Sequence, residues 1–190
     1  MKKFFLACSL LFCTLAYSNP VETGHARASL ITNLQDSQQE SFYLGVRLEM
    51  QEGWHTYWEN PGDSGSPFDA QWNVDQGIIV ENVEWPTPVT IPYPPLMTFG
   101  YEGDVVFPFK VFRAIDSNLS KINLEFDFLI CADICIPEKA SLSLDLSTAL
   151  PDSLVDEAIK SLPVDFIQTQ SVVDGDHLTI KFKSSQPVSN

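Results

Sequence analysis

The sequence has 190 residues, 44% of them hydrophobic and 12% aromatic, which is enough to bury a core in one domain with a further segment appended. Its 25 acidic residues against 11 basic ones give a formal net charge of -14. Such a surface repels nucleic acid and anionic lipid, which excludes both as partners and leaves the charge to set solubility and choice of protein partner.

The chain opens with Met1, Lys2 and Lys3, then a run from Phe4 to Leu15 that is apolar apart from Ser9 and Thr14, the pattern of a secretory signal peptide. Ala16 and Ser18 are the small residues a signal peptidase needs, so residues 1–18 are expected to be removed. Phe12, where a small residue would precede an acylated cysteine, argues against a lipid anchor at Cys13. The run falls short of the about 20 apolar residues that span a bilayer, and no later stretch reaches that length. The expectation is an exported chain with no membrane insertion after processing. Loss of Lys2 and Lys3 from the 11 basic residues, with all 25 acidic ones retained, takes the net charge to -16.

Strand alternation is the commonest pattern in the rest of the chain. Phe42, Leu44, Val46, Leu48 and Met50 are apolar at every second position, so one face is buried and one is wet. From Trp54 to Gly103 the texture changes to prolines (Pro86, Pro88, Pro92, Pro94, Pro95), glycines and aromatics, which reads as a long irregular and functional connection. Within it, Gly62-Asp63-Ser64-Gly65-Ser66-Pro67 nearly reproduces the nucleophile loop of chymotrypsin-like proteases. His55 lies only nine residues before Ser64, however, with no room for the fold such a triad needs, and turn chemistry explains the segment better.

Alternation resumes at Val105, Phe107, Phe109 and Val111, again at Ile122, Leu124, Phe126, Phe128 and Ile130, and again at Leu142, Leu144 and Leu146. These read as antiparallel sandwich strands. Asn118-Leu119-Ser120 fits the glycosylation pattern, a weak three-residue signal. After Pro151, Leu154, Val155, Ala158, Ile159 and Leu162 mark one face of a helix capped by Asp152 or Ser153 and stopped by Pro163. Phe166 to Val173, an Asp174-Gly175 turn and Leu178, Ile180 and Phe182 then read as a hairpin. The expected division is a sandwich over 24–148 and, over 151–190, a helix and hairpin that open a second β unit of a longer protein.

Once Cys8 and Cys13 leave with the signal, Cys131 and Cys135 are the remaining thiols. Two thiols in an oxidising compartment tend to pair. Four residues of strand cover roughly 13 Å while bridged Cα atoms lie about 4.4 to 6.8 Å apart, so the segment between them must turn. A disulfide closing so small a loop removes little chain entropy, which favours redox chemistry over a structural staple.

Three segments carry a resemblance: Gly53-Trp54-His55-Thr56-Tyr57-Trp58-Glu59-Asn60-Pro61-Gly62-Asp63-Ser64-Gly65, Pro95-Leu96-Met97-Thr98-Phe99-Gly100-Tyr101-Glu102-Gly103 and Cys131-Ala132-Asp133-Ile134-Cys135-Ile136-Pro137-Glu138. Together they resemble the amino-terminal periplasmic domain of the DsbD and ScsB thiol:disulfide interchange proteins, over about Ala28 to Leu146, with the ScsB-like branch the closer. The resemblance implies an immunoglobulin-like β-sandwich in the periplasm, without cofactor or metal. It also implies electron transfer, of the kind tied to cytochrome c biogenesis, from a DsbD/ScsB-type membrane donor through a thioredoxin-like domain and on to periplasmic partners, thioredoxin-like proteins among them, as a protein-disulfide reductase relay.

By the same resemblance Cys131 and Cys135 form the redox pair, Cys135 the one that forms the mixed disulfide and Cys131 the one that resolves it. Phe99, or else Tyr101, falls in the loop that caps the pair in the DsbD branch. The DsbD pair has a wider spacing, and the acidic residues near its cap lack clear counterparts here. Asp133 and Glu102 are therefore candidates for proton handling, with solvated surface carboxylates the equal alternative. Asp133 and Glu138 flank the pair with only Lys139 opposing them, so the free thiols are not expected to be strongly acidified. Two other readings stay open: a binding or assembly module whose disulfide is a staple, and Cu(I) handling linked to copper tolerance, with Cys131, Cys135, His55 and Met97 as soft ligands.

Overall fold

The computed structural model describes residues 19–114, 121–164 and 166–184. Residues 1–18, the expected signal peptide, and Asn118-Leu119-Ser120 lie outside the described residues.

The elements in chain order are β1 (Val21–Glu22), β2 (Ala26–Thr32), β3 (Ser41–Met50), β4 (His55–Gly62), β5 (Asp69–Asn73), β6 (Ile78–Val83) and β7 (Val89–Tyr93). They continue with β8 (Leu96–Glu102), β9 (Asp104–Arg113), β10 (Lys121–Cys131), β11 (Cys135–Asp145), α1 (Ser153–Lys160), β12 (Phe166–Asp174) and β13 (His177–Ser184). One sheet has the order β1-β2-β3-β9-β6, the other β11-β10-β4-β8-β7 with β5 also paired to β10. Every pairing is antiparallel. This is the immunoglobulin-like sandwich architecture that the resemblance implies.

The two inner faces are the alternating residues of the sequence. Phe42, Leu44, Val46 and Leu48 of β3 and Phe107, Phe109 and Val111 of β9 meet Ile122, Leu124, Phe126 and Ile130 of β10 in one buried cluster. Phe68 bridges the sheets, its ring 4.8 Å from Phe107 and 4.9 Å from Phe126. Each such side chain contributes about 1.5–3 kcal/mol on burial.

The stretch from Trp54 to Gly103 is not an irregular connection. It holds β4 to β8, five short strands without clean alternation. Its prolines sit where a missing N–H is tolerated: Pro92 lies in β7, the edge strand of its sheet, and Pro61 where β4 has left its regular register with β8. Edge strands and register breaks blur the period-2 signal.

The segment after residue 148 begins with a helix that packs on the sandwich. Helix α1 has Asp152 as its N-cap, the side chain accepting from Leu154 N at 3.0 Å, and docks on β3 and β9 of the sandwich. Val155 is fully buried there, over Gly45 of β3, where a Cβ would stand 3.1 Å from a Val155 methyl and 2.8 Å from Val106 Cγ1. Asp152 N donates to Thr32 O at 2.8 Å and Asn33 Nδ2 to Asp156 Oδ1 at 2.7 Å, fastening the helix to the end of β2. β12 and β13 form a separate two-stranded sheet that turns at Gly175, φ 61°.

Candidate redox site

β10 and β11 stay in register to their last pair, Cys131 opposite Cys135, and Ala132 to Ile134 close the turn with Ala132 N donating to Ile134 O at 3.0 Å. The required turn is thus a hairpin end. The cysteines are direct cross-strand neighbours, Cα atoms 4.1 Å apart, and are disulfide-bonded. The close approach is that of facing residues in the narrow pair of an antiparallel ladder.

The two sulfurs live in different surroundings. Ile130 points into the core, so Cys131 belongs to the opposite, outer face of the sheet, yet it is only 1% exposed. Cys135 is exposed. What buries Cys131 is the neighbouring β4 and the β7–β8 hairpin: Tyr57, Ile91, Leu96 and Thr98 line a cleft of about 150 Å³ with the two cysteines, His55, Ser64, Ala132 and Asp133.

Register explains who faces the pair. His55 is the cross-strand partner of Cys131 on one side and of Glu102 on the other, so Glu102, His55, Cys131 and Cys135 form one row over β8, β4, β10 and β11. Two residues along β4 from His55, Tyr57 returns to the same face. Its buried hydroxyl donates to Cys131 Sγ at 2.8 Å and lies 3.2 Å from Cys135 Sγ. Burial pushes the Tyr57 hydroxyl pKa up, with an opposing hydrogen bond from Ser64, so it is protonated at neutral pH. Burial also lowers the His55 pKa, against the pull of Glu102, and the imidazole meets the Tyr57 ring edge to face at 5.4 Å.

The Gly62-Asp63-Ser64-Gly65 turn has its place here. Asp63 N donates to Met97 O at 2.9 Å and Met97 N to Asp63 Oδ2 at 2.8 Å, pinning the turn to β8, and Ser64 Oγ lies 2.7 Å from Thr98 Oγ1. Gly65, at φ +86°, lies flat on the Tyr57 ring: a Cβ there would come within 2.1 Å of Tyr57 Cε1. The turn holds a tyrosine rather than presenting a nucleophile.

Neither cap candidate, Phe99 or Tyr101, lines the cleft. Thr98 and Leu96 of β8 face the cleft, and period 2 sends Phe99 and Tyr101 to the other side. Phe99 packs edge to face on Trp58 at 6.4 Å. Tyr101 is a core residue, its ring 5.1 Å from Phe107 and its hydroxyl donating to Pro86 O at 2.8 Å. Leu96, Ile91 and Tyr57 occupy the covering position instead. Met97 also alternates away from the cleft, so the soft-ligand set of Cys131, Cys135, His55 and Met97 is not brought together.

Asp133 lies exposed on the turn and lines the cleft, and Glu102 lies exposed beside His55. Lys139 pairs with Asp127, its cross-strand partner, rather than with the cysteines. Tyr57 was missed in the sequence because nothing in a run of five residues containing two tryptophans and a histidine marks which ring meets a sulfur. The signal that does so is register: Cys131 opposite His55 puts Tyr57, two residues on, over the pair.

A family model described as the N-terminal part of thiol:disulfide interchange protein DsbD matches residues 27–147. The crystal structure of the N-terminal periplasmic domain of ScsB from Proteus mirabilis is similar, with a TM-score of 0.63 and 25% sequence identity. That similarity covers 86% of this chain and 66% of the ScsB chain, so this chain spans just under two thirds of that structure's length. No curated protein matches the sequence.

Proposed function

The chain belongs to the family of DsbD N-terminal domains, and on that premise we propose that it is a periplasmic thiol–disulfide exchange module that carries electrons through Cys131 and Cys135. The observation that supports this most directly is the asymmetry of the disulfide, with Cys135 exposed and Cys131 buried beneath Tyr57. A partner thiolate reaches the Cys135 sulfur. A new bond forms there, the Cys131–Cys135 bond breaks, and the electron pair goes to Cys131 Sγ as a thiolate. The partner's second thiolate then attacks its own sulfur in the mixed disulfide and expels Cys135 as thiolate, so two electrons have moved into the domain and the partner leaves as a disulfide. The reverse sequence passes them on, with Cys135 attacking and Cys131 resolving.

The partners proposed are thioredoxin-like periplasmic proteins, with a DsbD/ScsB-type membrane protein as electron source, and residues 1–18 direct export. No helix among the described residues is long and apolar enough to cross a membrane. Leu96, Ile91 and Tyr57 shield the pair from stray oxidants, the role that the sequence resemblance gave to Phe99. Among the described residues no Lys or Arg lines the cleft and burial lowers the His55 pKa, so no positive charge there acidifies the free thiols, and docking supplies further activation.

The test is the reduction potential of the purified mature domain, equilibrated in thiol buffers with mass-spectrometric trapping. Values of about -180 to -270 mV, with Cys135 trapped first, are expected for a relay pair. A potential below about -300 mV would mark a structural staple and sink the reading.

A further inference from the structure

Tyr57 is the polar group that touches both reacting sulfurs, at 2.8 Å from Cys131 and 3.2 Å from Cys135, and no sequence motif marks it as part of the chemistry. A disulfide sulfur carries no hydrogen, so the phenol is the donor in both contacts. A phenol held in place over a non-polar cleft gains little from bonding a neutral disulfide, a weak acceptor. It gains much more when that acceptor becomes a thiolate, because charge-assisted hydrogen bonds are roughly twice as strong as neutral ones. The interaction is therefore stronger after the bond has broken than before, which is the condition for lowering a barrier.

We propose that Tyr57 is a catalytic residue of the exchange, the fixed donor that stabilises negative charge on Cys131 as it leaves, with the Gly62–Gly65 turn as the device that positions it. The proposal rests on the exchange reading above. When a partner thiolate bonds to Cys135 Sγ, the electron pair of the broken bond goes to Cys131 Sγ, and the Tyr57 O–H donates to that thiolate without giving up its proton. In the reverse direction the Cys131 thiolate attacks Cys135 Sγ and expels the partner thiolate, and the same hydrogen bond keeps Cys131 ionised and in line.

The surroundings make this donor hard to replace. Within the cleft the other titratable groups are His55 on β4 and Asp133 on the turn, with Glu102 of β8 flanking His55 on its far side. The carboxylates oppose a thiolate. Ser64 and Thr98 are bonded to one another, 2.7 Å apart. The turn fixes the phenol from behind: Gly65 lies on its ring, and Asp63 is pinned to the Met97 backbone. This gives the Gly-Asp-Ser-Gly segment a function that its likeness to a protease loop does not.

The experiment compares the purified mature domain with Tyr57→Phe, which keeps the ring that Gly65 packs on. Two readouts are taken, the rate of reduction by dithiothreitol and the acidity of Cys131 from pH-dependent alkylation of the reduced protein. The expected results are a rate lower by about ten- to a hundred-fold, the factor for losing a hydrogen bond to a charged group, and a Cys131 pKa moved upward. A ring-fluorinated tyrosine at position 57, the same shape but a stronger donor, should move that pKa downward, and it serves should Tyr57→Phe fail to fold. Wild-type rate and acidity in Tyr57→Phe, or an unmoved pKa in the fluorinated protein, would overturn the role of Tyr57. A wild-type disulfide that resists thiols altogether would instead overturn the exchange reading on which it rests.

Discussion

In the β1-β2-β3-β9-β6 sheet, β3 and β9 pair without interruption from Ser41 opposite Phe112 to Glu49 opposite Asp104. In the other sheet, β4 follows β8 from His55 to Tyr57, leaves it, and meets it again only at Gly62 opposite Thr98. The regular ladder buries one face along its whole length and exposes no reactive group. The interrupted one frees the chain to loop out and return over Tyr57, and that return covers a disulfide on what would otherwise be the wet face. Regular pairing supports the fold here, and broken pairing builds the site.

Four substitutions test that division, in falling order of effect. Phe42→Ala, deep under the regular sheet, should cost about 3–5 kcal/mol in urea unfolding. The rate at which thiols reduce the folded protein should not change. A site that loosened with it would show that the two sheets do not divide the work.

His25→Ala probes where the sheets are strapped together. His25, just before β2, holds the buried Glu138 of β11 at 2.7 Å through its ring and stacks on Trp54 at 3.8 Å. Leaving that carboxylate short of a partner should cost about 1–3 kcal/mol by the same assay. Glu138 lies three residues past Cys135, and Trp54 lies next to His55, so thermal unfolding and Cys135 alkylation measured together show whether the strap reaches the site.

Gly65→Ala targets the returning turn. A left-handed residue with a Cβ costs about 1–2 kcal/mol, and the Tyr57 ring must also move aside. The expected outcome is a modest fall in melting temperature with faster alkylation of reduced Cys131. A loss of stability with Cys131 still protected would separate the turn from the cover it is argued to provide.

The smallest effect is expected of His55→Gln. Burial lowers the His55 pKa below its ordinary value of about 6.5, so the folded state binds a proton less readily than the unfolded chain. The stability due to the neutral imidazole is present above that ordinary value and is lost as pH falls through the folded pKa. Melting temperature should therefore drop less steeply on acidification in His55→Gln than in the wild type. Parallel curves would show that His55 is not held neutral by the fold.

Much of this was legible in the residues, and particular elements show why. β3, β9, β10 and β11 could be read from their alternation because each buries one face over its length, and burial is what period 2 records. Asp152 as cap and Gly175 in its turn were readable because caps and left-handed turns depend on chemistry within a few residues. The strands β4 to β8 were not, since an edge strand with proline and a strand that breaks register carry no such period. The docking of α1 was hidden for another reason: a helical face shows that something is covered, and it took Gly45, over a hundred residues earlier, to say what.

At the site the same line can be drawn. By itself the sequence determined that Cys131 and Cys135 close a turn, that this chain resembles an exchange domain, and that the residues flanking the pair are mostly acidic, because spacing, motif and flanking charge are properties of neighbouring residues. Which sulfur is exposed, why Phe99 and Tyr101 face away while Leu96 faces the pair, and that Tyr57 bonds to both cysteines were decided only in the tertiary structure. Those facts depend on the register of β4 between β8 and β10. A slip of one residue there would turn every one of these side chains to the opposite face, and strands so far apart in the chain are brought into register by the packing of the whole sandwich.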